Sequence, residues 1–176
     1  MSDYNITDQN QIINNSSTEF TTHLAGRVAA NPNMAGVAAA EANTIIIQVT
    51  SPNRTSINGY AEVAGKRAEL IIANPNGMSI SGGGFINTSR LSLVSGTVNM
   101  SSGAINNFTL GNNANSNVII TGVNTPTYVN LGLDASTVDY VDIITRSAQV
   151  TGDIHVRTTK LDGDGAGELN FALGNN

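Results

Sequence analysis

Residues 68–88 read AELIIANPNGMSISGGGFINT, and the fold turns on how this stretch is read. A short apolar run, Ala68 to Ala73, has the length of a buried strand. Asn74-Pro75-Asn76-Gly77 then predicts a turn. Proline presets its own φ at about −65° and pushes the preceding Asn74 into extended geometry. Asn74 can bond its own backbone two residues on, Asn76 tolerates the bridge or left-handed region, and Gly77 closes a type I turn. Alternation resumes at Met78-Ser79-Ile80, and Gly82, Gly83 and Gly84 predict a second corner before Phe85-Ile86-Asn87. The order is strand, tight corner, strand, glycine corner, strand.

Upstream, Thr44 to Val49 is the clearest β-branched run, followed by Ser51-Pro52-Asn53. Three of the four prolines precede an asparagine, at positions 32, 52 and 75. Their separations are about one rung of a solenoid of coiled parallel strands, which suggests a period without establishing one. Nearer the start, strands are expected at Gln11–Asn14 and His23–Val28, and the alanine-rich 35–42 reads as strand or loop rather than a helical turn. Downstream, short strands recur at Arg90–Val94, Thr97–Met100, Ala104–Phe108, Asn117–Ile120, Thr127–Leu131, Val138–Thr145, Ala148–Val150, Asp153–Arg157 and Glu168–Phe171. This spacing suits a β-sandwich as well as a β-helix. Few dipeptides favour two-residue hairpins, and the corners are asymmetric, as at 111–117, but the residues alone leave both folds open. The expected core comprises Ile45, Ile47, Leu70, Ile72, Ile80, Ile86, Leu91, Leu93, Ile105, Ile119, Val141, Ile143 and Val150.

Of the 176 residues 40% are hydrophobic and 12% charged, which supports one domain with a real core. Asparagine (24) and glycine (18) are abundant, Leu, Glu and Lys are scarce and β-branched residues are plentiful, so the fold class is all-β. A net charge of −5 and no basic run longer than Lys66-Arg67 give no broad attraction for nucleic acid. Without cysteine, disulfides are excluded and the redox compartment is not legible. No apolar run approaches the ~20 residues of a membrane-spanning helix. The first residues, Met1-Ser2-Asp3-Tyr4, lack the basic-then-apolar pattern of a signal peptide.

Chemistry is sparse. His23 and His155 have no ligand-like spacing and read as ordinary histidines. Gly77 to Ser81 lacks the final glycine of a nucleophile elbow, and Gly163 to Gly167 departs from the dinucleotide fingerprint. Asp162, Asp164 and Glu168 could hold calcium weakly, but a solvated turn is the better reading. Asn-x-Ser/Thr triplets such as Asn53-Arg54-Thr55 are expected by chance in so asparagine-rich a chain. Lys66-Arg67 beside Glu62 and Glu69 reads as a solvated charged edge. No catalytic residue, metal or cofactor is expected.

The central stretch, the preceding INGYAEVAGKRAELII (Ile57 to Ile72) and the upstream ANPNM (Ala30 to Met34) resemble the secretion domain of two-partner secreted exoproteins. That family includes filamentous haemagglutinin, the large haemolysins and contact-dependent inhibition exoproteins. Its two asparagine-proline motifs match at Asn31, Pro32, Asn33 and Met34 and at Asn74, Pro75, Asn76, Gly77 and Met78. The family usually has leucine after the first motif and isoleucine after the second; this chain has methionine in both places. Some members carry two cysteines around the glycine corner, and this chain has none. The match is strong from about Ile12 to Arg90, returns at Val141 to Arg146, and between 97 and 135 is one of texture only.

The resemblance implies a right-handed parallel β-helix with a few strands outside it. It also implies a single domain over 1–176, cut from a much larger exoprotein, with its N-terminal cap partly missing. The implied function is a secretion domain recognised by the periplasmic domains of a dedicated outer-membrane transporter. The chain would pass through the periplasm of a Gram-negative bacterium and fold at the cell surface. The two motifs would fix turns that nucleate the coil, and Gly82, Gly83 and Gly84 would allow close stacking. Equally, these asparagines can close turns that no partner touches. The alternatives are a module binding carbohydrate or a host or bacterial cell surface and, ranked last, a β-helical carbohydrate-active enzyme, for which no acidic pair has plausible spacing.

Overall fold

The computed structural model describes residues 1–7, 9–35, 37 and 40–174. After β1 (Gln11–Asn15), the chain makes an antiparallel hairpin from β2 (Phe20–Thr22) and β3 (Gly26–Val28). Coiling then begins: β4 (Thr44–Gln48), β5 (Thr55–Ile57) and β6 (Tyr60–Gly65) form one turn, and β7 (Ala68–Ala73), β8 (Met78–Ile80) and β9 (Gly83–Ile86) the next. In the third, β10 (Thr88–Val94) is followed by the antiparallel hairpin β11 (Gly96–Ser101) and β12 (Ala104–Leu110). The coil resumes with β13 (Val118–Ile120) and β14 (Leu131–Ala135). A fourth turn, β15 (Tyr140–Thr145), β16 (Ala148–Val150) and β17 (Asp153–Val156), leads to β18 (Glu168–Leu173).

Each turn contributes one strand to each of three parallel sheets, ordered β4-β7-β10-β15-β18, β5-β8-β13-β16 and β1-β6-β9-β14-β17. This is a three-sided parallel β-helix with two hairpins outside it. Register aligns like with like. Ile45, Leu70, Leu91, Val141 and Leu169 form one column, and Ile47, Ile72, Leu93, Ile143 and Phe171 another. On the second side Ile57, Ile80, Ile120 and Val150 stack in the same way. Rungs lie about 4.8 Å apart, so an inward side chain within the stack meets its counterparts above and below, while those on the end strands β4, β16 and β18 have one neighbour only. Full burial of a side chain inside the stack contributes about 1.5–3 kcal/mol.

The continuous apolar run Leu70 to Ala73 within β7 has a structural cause. Leu70 and Ile72 enter the main core, while Ile71 and Ala73 face outward. There the β11–β12 hairpin folds over them, and Val98 packs with Ile71, Ala73 and Val94 in a second cluster. Gln48 fastens the cover by accepting the Val98 amide at 2.9 Å. A strand buried on both faces loses the alternation of a half-exposed one.

Four expected core positions differ. Phe85, not Ile86, points inward, and Ile119 faces outward between buried Val118 and Ile120. Ile105 supports the outer cluster, and Val150 is 42% exposed on the terminal rung of its sheet. Period two tolerates no one-residue slip, and the glycines before Phe85 concealed its phase. Residues 127–130 are bends rather than strand, and of His23–Val28 only the second half is extended. The alanine-rich stretch falls partly on Gly36, Ala38 and Ala39, which lie outside the described residues.

Candidate functional site: the asparagine corners

The second motif forms the corner between the first and second sheets. Asn74 Oδ1 accepts the Asn76 amide at 2.8 Å, and its carbonyl accepts the Gly77 amide at 3.0 Å, giving the expected turn. Gly77 has φ 77°, where a Cβ would overlap the Asn115 carbonyl oxygen. Asn74 is fully buried, and its side-chain amide donates to the Asn53 carbonyl and to Thr55 Oγ1, both at 2.9 Å. Asn76 Nδ2 donates to the Ser51 carbonyl at 2.9 Å.

The same device stands in three successive coils. Below, Ser51 Oγ accepts the Asn53 amide; above, Asn113 Oδ1 accepts the Asn115 amide. In each coil a side-chain oxygen caps the amide two residues on. The three turns are joined vertically, since Asn113 Nδ2 donates to Asn76 Oδ1 at 3.1 Å and Ser116 Oγ to the Pro75 carbonyl at 2.5 Å. The stack does not carry a proline in every coil, since the third turn has Ala114 in that place.

Arg54, which the sequence reading passed over, ties the corner together. Its Nε donates to Ser79 Oγ at 2.7 Å and its Nη1 to the Asn115 carbonyl at 2.9 Å. Nη2 donates to the Met78 carbonyl and to Asn117 Oδ1, both at 2.6 Å. These acceptors are neutral and burial lowers its pKa, so the guanidinium serves as a rigid fork rather than half of an ion pair. Its position directly after Pro52-Asn53, with no acid nearby in sequence, was the available signal.

The first motif occupies another corner. Asn31 donates its backbone amide to the Ser16 carbonyl and its side-chain amide to the Asn14 carbonyl, both at 2.8 Å. Asn31 Oδ1 accepts the Asn33 amide at 3.0 Å, and its carbonyl accepts Met34 and Ala35. Pro32 and Asn33 are exposed. The motif therefore docks on the end of β1, where buried Asn15 also reaches the Ala42 and Lys66 carbonyls. The two motifs share a local geometry and, among the described residues, no hydrogen bond.

The glycine corner is narrower than expected. Gly82, at φ 72°, makes the turn with Ser81, whereas Gly83 and Gly84 belong to β9. A Cβ on Gly83 would lie 2.8 Å from Ile57, and one on Gly84 2.5 Å from the Tyr60 ring. Both glycines thus stand inside a strand where a side chain would overlap its neighbours.

Of the expected charged edge, Lys66 is exposed, but Glu62 and Arg67 are not simply solvated. Glu62 is fully buried and accepts the His23 and Leu24 amides at 2.9 Å, pinning the β2–β3 hairpin to β6. Arg67 bonds Asp139 at 2.8 Å and the Thr88 and Thr137 carbonyls. The His155 ring packs at a tilt against Tyr128, centroids 4.5 Å apart, on a different element from His23. Asp162 Oδ1 accepts the Asp164 amide in a turn, while Glu168 pairs with Lys160 at 2.7 Å.

A family model described as the TPS secretion domain matches residues 2–176. The 16S rRNA endonuclease CdiA of Enterobacter cloacae is 36% identical over 161 residues, covering 90% of this chain and 4% of that protein. The tRNA nuclease CdiA-2 of Burkholderia pseudomallei is 38% identical over 149 residues, 84% of this chain and 4% of the relative. The chain thus spans a small fraction of the curated relatives it matches. The crystal structure of the filamentous hemagglutinin secretion domain superposes with TM-score 0.67 at 28% identity, covering 84% of this chain and 44% of that one.

Proposed function

This chain belongs to the TPS secretion domain family, and from that premise we propose how its corners serve export. It is a secretion domain of the kind carried by CdiA- and filamentous-hemagglutinin-type exoproteins, which leave the cell through an outer-membrane transporter. Our reading adds three finer points. The chain is one domain of a much longer exoprotein. It meets the periplasmic domains of the transporter while unfolded, as an extended segment able to add to an open sheet edge. It then folds outside, and the stacked asparagine corners are where the first coils lock.

The observation that carries this reading is the vertical bonding of Ser51-Pro52-Asn53, Asn74-Pro75-Asn76 and residues 113–116 by side chains that reach from one coil to the next. A corner that closes one turn and bonds the next lowers the entropic cost of adding a rung. The nuclease activities in the relatives' names belong to proteins of which this chain matches 4%, and the domain itself is read as non-catalytic. Family membership favours this reading over a surface-binding module.

The test is secretion of the full-length exoprotein coexpressed with its transporter. Asn74→Ala and Arg54→Ala should lower the amount released into the medium at least fivefold while cell-associated chain accumulates. Asn33→Ala, at an exposed position, should lower release far less. Undiminished secretion of the Asn74 and Arg54 variants would remove the corner from the mechanism.

A further inference from the structure

The chain contains two asparagine-glycine dipeptides, Asn58-Gly59 and Asn76-Gly77, and the second is the heart of the motif corner. Glycine has no Cβ to hinder approach of its backbone nitrogen to the preceding side-chain amide, so such pairs are prone to cyclise. We propose that Asn76 is a fold-gated deamidation site: the unfolded chain loses this amide spontaneously, the folded chain keeps it, and a chain modified there no longer closes the corner.

The chemistry needs only water. The Gly77 nitrogen attacks Asn76 Cγ, a new N–Cγ bond forms, and the Cγ–Nδ2 bond breaks. Ammonia departs, carrying the proton that Gly77 nitrogen gives up. Water then opens the five-membered imide at either carbonyl, leaving aspartate or, with the chain rerouted through Cγ, isoaspartate. The balance is one asparagine plus one water to one acidic residue plus one ammonia.

In the folded protein both reacting groups are held. The Gly77 nitrogen donates to the Asn74 carbonyl at 3.0 Å, and Gly77 is buried at φ 77°. The Asn76 amide is fixed at both ends, donating to the Ser51 carbonyl at 2.9 Å and accepting from Asn113 at 3.1 Å. Swinging Cγ onto the Gly77 nitrogen would break contacts with the coils on both sides. The products do not fit this frame. An aspartate at 76 sets a carboxylate oxygen against the Ser51 carbonyl where a donor stood. An isoaspartate adds a methylene to the turn and moves Gly77 off the carbonyls of Asn115 and Asn117, against which it packs. Asn58, by contrast, is exposed between β5 and β6.

The consequence for export, that delay before folding inactivates the domain, rests on the reading that the chain crosses unfolded. The chemistry does not, and its test involves no transporter. The Asn58→Gln chain, which leaves a single asparagine-glycine pair, is held for increasing times at mildly alkaline pH, folded in buffer or unfolded in guanidinium chloride. Peptide mass spectrometry quantifies aspartate and isoaspartate at position 76, and dilution followed by circular dichroism gives the refoldable fraction. Deamidation at 76 should be about tenfold or more slower in the folded sample, and refoldability should fall in step with conversion. Equal rates in the two samples, or modified chains that refold with an unchanged denaturation midpoint, would overturn the proposal. The added substitution Asn76→Gln, whose longer side chain cyclises far more slowly, should preserve refoldability over the same interval. If that variant does not fold, the two time courses of the parent still decide.

Discussion

At Gly77 the backbone sits at φ 77° and the space a Cβ would fill is taken by the Asn115 and Asn117 carbonyls. Gly103 has φ 79° with nothing within 4 Å of the same position. The pair separates strain from overlap. Gly103→Ala should cost about 1 kcal/mol, the left-handed penalty alone, whereas Gly77→Ala should cost about 3 kcal/mol or more in guanidinium unfolding, because the next coil must also move. Tyr4 provides a pH test. It is buried and its hydroxyl has no partner among the described residues; burial raises its pKa. The unfolded chain loses this proton near pH 10 while the folded one keeps it, so stability is unaffected below about pH 10 and falls as pH rises beyond it. Tyr4→Phe should lessen that alkaline fall and at pH 7 should be neutral or stabilising by up to about 1 kcal/mol.

The two hairpins outside the coil are held by different physics. β11–β12 covers the outer face of β7 with Val98, so truncation there exposes Ile71 and Val94. Val98→Ala should cost about 1–2 kcal/mol of global stability, seen as a lower denaturation midpoint. β2–β3 is pinned by the Glu62 carboxylate on two turn amides. Glu62→Ala should therefore speed amide exchange at residues 20–28 and leave β7 and β10 protected, since local opening there need not unstack the coil. Uniform acceleration across the molecule would show instead that Glu62 belongs to the cooperative core.

As a whole the molecule is a one-dimensional stack in which each coil depends on its neighbours. Amide protection should be greatest in β7 and β10, which are paired on both sides, and least in β18, where Leu169, Phe171 and Leu173 are exposed. Flat protection from β4 to β18 would contradict a stack that frays from its end.

The all-β class, the extent of β7 and the turn at Asn74–Gly77 were legible in the sequence, because proline, asparagine and glycine constrain the backbone locally. Residue patterns left sandwich and β-helix open; the family resemblance separated them. Neighbours distant in sequence decided the rest. Phe85 rather than Ile86 fills the core, Gly83 and Gly84 extend a strand because Ile57 and Tyr60 lie against them, and Glu62 is buried because a hairpin closes over it. Arg54 gained its role only when coiling brought residues 79, 115 and 117 within its reach. Local chemistry wrote the turns; which turn stacks on which is set by coil length and by the side chains that bridge the rungs, and only the tertiary structure carries that.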